Sequence, residues 1–176
     1  KKLILVMVML GLTTIGMAAG ADPFISKGYV KGSFALANKG VVSAILVSRN
    51  EWPGVIRAAT DLQTDVEKVT GFKPAFLKDK TAGTAIIIGT IGKSTIIDQL
   101  IRTGKINVAG VAGKWESTLI EVIKNPVPGI DSALVIAGSD KRGTIYGIYE
   151  LSSQIGVSPW YYWADVPVKK SKVLFA

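Results

Sequence analysis

The sequence predicts an α/β fold, a single small sandwich in which helices pack on a mixed, partly parallel sheet. Three observations predict it. Apolar runs typical of buried strands occur at 41–47, 84–88 and 133–137. Residues with amphipathic helical spacing follow each run. The turns between strand and helix are short, and strand–helix–strand connections join parallel neighbours.

The first strand and helix occupy residues 41–71. After the strand, Ser48 and Glu51 have the S-x-x-E spacing of a capping box. Pro53 falls in the first helical turn, where its missing N–H costs little. Apolar residues then recur at helical spacing as far as Val69, and Gly71 is expected to end the helix.

The middle of the chain predicts shorter elements. A short strand is expected at 73–77, a buried strand at 84–88 and a second, shorter helix at 94–101. Alternating apolar and polar residues predict a less buried strand at 117–122. Residues 125–129 predict a turn, because their two prolines interrupt any hydrogen-bonded ladder.

The last buried strand, 133–137, precedes a helix predicted at 144–155 and ended by Gly156. The turn at 138–143 repeats the pattern of the turn at 89–94. In both, a glycine and a hydroxyl residue follow the strand, and a basic residue precedes the helix. We therefore expect one domain with four to six strands.

The N-terminus has the pattern of a secretory signal peptide. Two lysines precede a nearly unbroken apolar run at 3–12, and small residues follow at 18–21. A membrane anchor or a buried strand is the alternative, but the run is short for a bilayer span. We assign 1–21 to a signal peptide. We expect an exported protein, periplasmic or extracellular, with no membrane contact after cleavage.

The composition excludes several classes of chemistry. The 176 residues include no Cys and no His, which excludes disulfides, Ser-His-Asp triads and His-based metal sites within the chain. The net charge is +8, but the basic residues are scattered. A nucleic-acid footprint normally clusters on one face, so we expect no nucleic-acid partner. We also expect no metal and no cofactor.

The turn at 89–94 resembles a phosphate-binding loop only superficially. A Walker A loop has four residues between its first glycine and its Gly-Lys pair, whereas two residues separate Gly89 from Gly92. The loop is too short to wrap backbone N–H groups around phosphates, and we expect no nucleotide there.

The turn at 138–143 carries the candidate binding residues. Asp140 or Ser139 can cap the following helix. Lys141 and Arg142 stand at the end of a buried strand, where ligands often bind in α/β sheets. We predict that Asp140, Lys141 and Arg142 bind substrate. A solvated turn, or one that contacts a neighbouring domain, remains the alternative.

Four consecutive aromatic residues form a second candidate surface. Aromatic rings stack on sugars, and Trp and Tyr are also favoured at protein interfaces. We predict an interdomain interface at Trp160, Tyr161, Tyr162 and Trp163.

Two stretches, 136–152 and 155–168, resemble the N-terminal domain of family 115 glycoside hydrolases, the xylan α-glucuronidases. The resemblance runs from about Phe34 to the end of the chain. Residues 86–90 and the helix after Pro53 also fit.

The resemblance implies a large exported enzyme that removes glucuronic acid, or its 4-O-methyl ether, from glucuronoxylan. In such enzymes a small α/β domain precedes a catalytic TIM-like barrel, as in several hexosaminidase families. It implies an α/β domain at 22–165, with 166–176 as a linker or the start of the barrel. The family's catalytic carboxylates lie on that barrel. We therefore expect no catalytic residue in this chain, an inactive fragment, and the chain's own barrel as its partner.

Two other functions remain open from the residues alone. One is a free-standing carbohydrate-binding or adhesion module that uses the aromatic cluster, and the other is a basic polyanion binder. Glycosidic cleavage needs a carboxylic acid and a carboxylate on either side of the bond. The spacing of Asp140, Glu150 and Asp165 singles out no such pair.

Overall fold

The computed structural model describes residues 22–78, 83–161 and 163–176. The predicted signal peptide, 1–21, lies outside the described residues. Within these ranges the chain forms three helices and eight strands, which are arranged in two sheets. No helix in the described part is both long enough and apolar enough to cross a membrane.

The main sheet has five strands. In spatial order they are β4 (Phe76–Leu77), β3 (Ala44–Val47), β5 (Thr84–Thr90), β7 (Ser132–Gly138) and β6 (Thr118–Lys124). The first four strands run parallel, and β6 pairs antiparallel with β7 at the edge. This mixed sheet with helices packed on it confirms the predicted fold class.

Helices cover both faces of the main sheet. They are α1 (Pro53–Thr70), α2 (Thr95–Arg102) and α3 (Lys141–Ile155). Side chains of the central strands alternate between the faces, so that Ile86 and Ile88 join the core under α1 and α3 while Ile87 joins the core under α2. All three isoleucines are fully buried, as expected of parallel strands covered on both sides.

The start of α1 differs from the sequence prediction. Trp52 occupies the N-cap position, and Pro53 is the first helical residue, as expected. The predicted capping box at Ser48 and Glu51 is wrong, because tertiary contacts take both side chains. The Ser48 hydroxyl pairs with that of Ser94, and the Glu51 carboxylate accepts a hydrogen bond from the neighbouring strand β5. The helix ends as predicted at Gly71, whose φ of 83° favours glycine.

The strand predicted at 41–47 is two strands that belong to different sheets. Val41–Val42 forms β2, which joins a second, antiparallel sheet in the order β2, β1 (Ala35–Asn38), β8 (Leu174–Phe175). Ser43 separates β2 from β3, and its hydroxyl donates to the carbonyl of Ala35 at 2.8 Å. The apolar run is therefore shared between two sheets at a buried serine.

The segment 166–176, expected to be a linker or the start of a barrel, ends in β8. Leu174 and Phe175 are buried, and β8 pairs with β1. Helix α3 also begins earlier than expected, at Lys141 rather than at 144, so Lys141 and Arg142 belong to its first turn.

Candidate functional site

The carboxyl ends of β3, β5 and β7 meet at one edge of the main sheet, and a cleft of about 380 Å³ lies there. It is lined by Trp52 after β3, by Thr90 at the end of β5 and residues 91–93 after it, and by residues 139–141 after β7. Helices α1 and α2 leave this edge toward opposite faces, so the strand order changes direction between β3 and β5. Open α/β sheets bind their ligands at such a point.

A buried carboxylate of the chain itself lies at this edge of the sheet. Glu51 is 4% exposed. Its Oε2 accepts the N–H of Thr90 at 2.8 Å, and its Oε1 accepts the N–H of Trp52 at 2.9 Å. The Thr90 donor at the end of β5 is thus already used inside the protein. A ligand in the cleft must therefore bind to other groups.

Hydroxyl pairs hold the three turns together below the cleft. Ser48 Oγ lies 3.1 Å from Ser94 Oγ, and Thr90 Oγ1 lies 2.8 Å from Thr144 Oγ1. A Cβ atom on Gly89 would lie 2.3 Å from Ser94 Cβ, so this turn needs glycine to bring α2 close to β5. The base of the cleft is therefore built from short, mutually bonded turns.

The cleft itself presents two cations and an aromatic face. Lys93 Nζ lies 4.7 Å from the centroid of the half-exposed Trp52 ring, within cation–π range. Lys141 is exposed and lines the opposite side. An anionic ring compound suits this combination, because lysines attract its charge and the indole packs against its face.

Sequence reasoning missed Trp52 and Lys93 as site residues. One signal was available for Lys93, since it occupies the basic position of a turn that repeats the Lys141 turn. No sequence signal singled out Trp52, which reaches the cleft because α1 starts at the same edge of the sheet.

Asp140, predicted to bind substrate, is the N-cap of α3. Its Oδ1 accepts the N–H of Gly143 at 2.8 Å, and its Oδ2 accepts the N–H of Glu116 at 2.9 Å. These backbone donors, Gly143 first, lower the pKa of the Asp140 carboxyl. Both carboxylate oxygens thus serve the fold, even though the residue borders the cleft.

Arg142, predicted to bind substrate, is held on the helix surface. One of its nitrogens lies 2.9 Å from a carboxylate oxygen of Glu116, and another donates to the Tyr146 hydroxyl at 2.8 Å. Its guanidinium also lies 5.7 Å from the Tyr146 ring centroid. Of the three predicted binding residues, Lys141 is therefore the one whose charge faces the cleft without a carboxylate bonded to it among the described residues.

The aromatic cluster lies at the other end of α3. A helix of 15 residues is about 22 Å long, and the cluster follows its C-terminus whereas the cleft adjoins its N-terminus. Trp160 and Trp163 are exposed, and Tyr162 lies outside the described residues. Tyr161 is partly buried, with Lys68 Nζ 4.3 Å from its ring centroid. The structure thus separates the two groups of candidate residues.

The described carboxylates do not form a glycosidase pair on α3. Asp140 and Glu150 are ten residues apart, or about 15 Å along the helix, which exceeds the separation of a working acid and base. Glu150 accepts a hydrogen bond from Gln154 on the helix surface.

Among the described residues, no group of three or more Asp, Glu, His or Cys side chains is placed to hold a metal ion.

Comparison with solved structures shows a similarity to a family GH115 4-O-methyl-α-glucuronidase with specificity for decorated arabinogalactans. The TM-score is 0.63 and the identity 31%, over 81% of this chain. The match covers 17% of the enzyme, so the chain spans a small part of its length. No protein-family model and no curated protein matches the chain. The similarity supports a glucuronidase-related domain from a parent glycosidase, as the resemblance at 136–168 implied.

Proposed function

We propose that the chain is the non-catalytic N-terminal domain of a secreted α-glucuronidase, which removes glucuronic acid or 4-O-methylglucuronic acid from a polysaccharide. The similarity to the GH115 enzyme, at 31% identity over most of this chain, carries the proposal. In this proposal the domain begins at residue 22 and includes strand β8, and the catalytic carboxylates belong to a barrel that follows it.

Two polysaccharides are candidate substrates, and experiment must decide between them. The resemblance at 136–168 implies glucuronoxylan, whereas the structural neighbour is described as specific for decorated arabinogalactans. The uronate group is common to both interpretations. We therefore assign the domain to a uronate-removing enzyme, and parallel assays of the parent on the two polymers decide the backbone.

We propose that the cleft at the sheet edge forms one wall of the substrate site. Lys141 and Lys93 would attract the uronate carboxylate, and Trp52 would pack against a sugar ring. These three residues would position the substrate rather than cleave it, because glycosidic cleavage requires an acid and a base on either side of the bond. Asp140, the carboxylate at the cleft, already accepts two backbone hydrogen bonds.

Kinetics of the full-length parent test the role of Lys141. Lys141→Ala should lower kcat/KM on an aldouronic acid by about tenfold or more, because a charge-assisted contact is lost. Arg142→Ala is the matched control, since its guanidinium is paired with Glu116 outside the cleft, and its kcat/KM should stay near the wild-type value. Normal kinetics for Lys141→Ala would show that the cleft is not part of the substrate site. Turnover of an aldouronic acid by the 176-residue chain alone would contradict the non-catalytic assignment.

We propose that the chain is exported after a signal peptide is cleaved between Gly20 and Phe24, a position with which the packing of residues 24–26 is compatible. Phe24 and Ile25 pack against the core, and the backbone of Ser26 exchanges two 2.8 Å hydrogen bonds with Phe175. Cleavage between Gly20 and Phe24 would leave these contacts intact. N-terminal sequencing of the exported protein tests this proposal, and a mature protein that retains 3–12 would contradict it.

A free-standing carbohydrate-binding module is the second candidate function. It is favoured by two tryptophans with almost bare side chains, Trp115 at 88% and Trp163 at 86% exposure. Pull-down on glucuronoxylan separates the two functions, because only a binding module should be retained without a barrel.

A further inference from the structure

A second cavity, of about 350 Å³, lies between α1 and α3 near the C-terminal ends of both helices. It is lined by Asp65 of α1, by Tyr149 and Ser152 of α3, and by residues 157–159. Ser152 is eleven residues along α3 from Lys141, so about 17 Å of helix separates this cavity from the cleft. Its volume is within the range of small-molecule sites.

Two buried polar side chains line this helical cavity. Ser152 is 4% exposed, and its hydroxyl lies beside the Asp65 carboxylate and favours the charged form, but it makes no direct hydrogen bond of ordinary geometry among the described residues. Asp65 is buried beside it, with a carboxylate oxygen 3.7 Å from Lys68 Nζ. Buried hydroxyls in folded proteins are nearly always paired. A buried hydroxyl at the wall of a cavity that makes no direct bond of ordinary geometry can bind a polar group that enters the cavity.

The charges around the helical cavity disfavour an anionic ligand. Burial raises the pKa of Asp65, while the Ser152 hydroxyl and Lys68 ammonium beside it oppose the rise. Asp61, one turn earlier on α1, accepts a hydrogen bond from the Tyr149 hydroxyl at 3.1 Å. The carboxylates of Asp61 and Asp65 thus disfavour an anion, whereas the charges of Lys68 and Arg57, which act on Asp65 and Tyr149, disfavour a cation. A neutral ligand avoids both repulsions.

The remaining walls are apolar or aromatic. Val157 is buried, Pro159 contributes its ring, and the half-exposed Tyr149 contributes an aromatic face. A neutral sugar ring fits this arrangement, since its hydroxyls donate to a carboxylate or exchange bonds with a serine while its C–H groups pack on rings.

We propose that the helical cavity binds a neutral pyranose, whose hydroxyls hydrogen-bond to Asp65 and Ser152. This ligand is uncharged, whereas the two lysines of the cleft favour a charged uronate. The inference does not depend on the proposed α-glucuronidase activity, because it rests on residues at the other end of α3.

NMR titration of the 176-residue chain with D-xylose, D-galactose and D-glucuronate tests the proposal. We expect saturable shifts of the Tyr149 and Ser152 amides with at least one neutral sugar, at a dissociation constant of about 1–10 mM. D-Glucuronate should not produce them. Lys141→Ala should leave this titration unchanged, so its outcome is separate from that of the glucuronidase proposal.

Ser152→Ala separates a binding role from a structural one. It should weaken the neutral sugar about threefold to tenfold. It should lower the melting temperature little, because the hydroxyl makes no direct hydrogen bond of ordinary geometry among the described residues. Ser153→Ala, an exposed neighbour on the same helix, is the control and should bind like the wild type.

Three results would overturn the proposal. They are the absence of saturable shifts with both neutral sugars at about 50 mM, unchanged binding in Ser152→Ala, and equal binding of D-glucuronate at the same amides. Asp65→Asn gives a second measurement, because it keeps the side-chain shape and removes the charged acceptor. Unchanged sugar affinity in that variant would also contradict the proposal.

Discussion

Asp140 shows how a residue at the edge of a cleft can be committed to the fold. Its two carboxylate oxygens accept backbone N–H groups from Gly143 and Glu116, and Thr144 Oγ1 donates to its carbonyl oxygen at 2.9 Å. The side chain therefore satisfies the first turn of α3 and ties that turn to the segment before β6. The same turn leaves Lys141 facing the cleft.

Asp140→Ala should reduce the free energy of unfolding by about 1–2 kcal/mol near neutral pH, because the cap is lost. The folded-state pKa of Asp140 is lowered from its ordinary 3.8, so its charge-dependent stabilisation is present above that value and is lost as the pH falls through the folded-state pKa. Urea unfolding at about pH 7 and about pH 2 measures this, and the deficit should narrow in acid. The exposed Asp131→Ala is the control. A deficit of equal size at both pH values would contradict the assignment of the cap to the charged form.

At the scale of elements, α3 lies unusually close to strands β6 and β7. A Cβ on Gly143 would lie 2.3 Å from the Ser117 carbonyl oxygen, and one on Gly147 would lie 2.7 Å from Ile136 Cγ2. The four-residue spacing places both glycines on the face of α3 that contacts the sheet. Helix α3 holds this position because these two residues have no side chains.

Gly143→Ala should lower the free energy of unfolding by about 3 kcal/mol, because the added methyl group meets a backbone oxygen that belongs to the adjoining segment. Gly110→Ala is the matched control, since a Cβ there meets nothing within 4 Å. Chemical denaturation of both variants measures the difference. If the two variants are equally stable, the close approach of α3 is not required.

At the scale of the whole molecule, the small sheet binds both ends of the described chain. β8 pairs with β1, Phe175 exchanges backbone hydrogen bonds with Ser26, and Ala176 exchanges them with Phe34. The rings of Tyr29 and Phe175 meet edge to face, with centroids 5.6 Å apart. The residues from 174 onward are therefore part of the same packed body as the α/β sandwich.

Leu174→Ala tests this integration. Leu174 is 1% exposed, and truncating a buried leucine costs about 2–5 kcal/mol. Val30→Ala, at 67% exposure, is the control and should cost far less. Thermal unfolding of the 176-residue chain provides the measurement. Equal melting temperatures for the two variants would indicate that 166–176 acts as a linker.

The sequence by itself determined the fold class and the elements whose signal is local. The buried strands at 84–88 and 133–137 are present as β5 and β7, slightly longer than predicted. The ends of α1 and α3 at Gly71 and Gly156 follow from a left-handed backbone that glycine adopts without strain. Periodicity and glycine positions are properties of neighbouring residues, and they can be recognised without knowing what packs on them.

Tertiary structure alone decided how the pieces meet. Glu51 does not form the predicted capping box, because its carboxylate accepts the N–H of Thr90 in strand β5 instead. Arg142 does not serve the predicted site, because its guanidinium pairs with Glu116, which lies 26 positions earlier in the sequence. In the cleft, Trp52 contacts Lys93 from the turn after β5. Trp160 follows the opposite end of α3, about 22 Å along the helix from the cleft. Each outcome depends on a contact between residues distant in sequence, and a local pattern contains no record of such contacts.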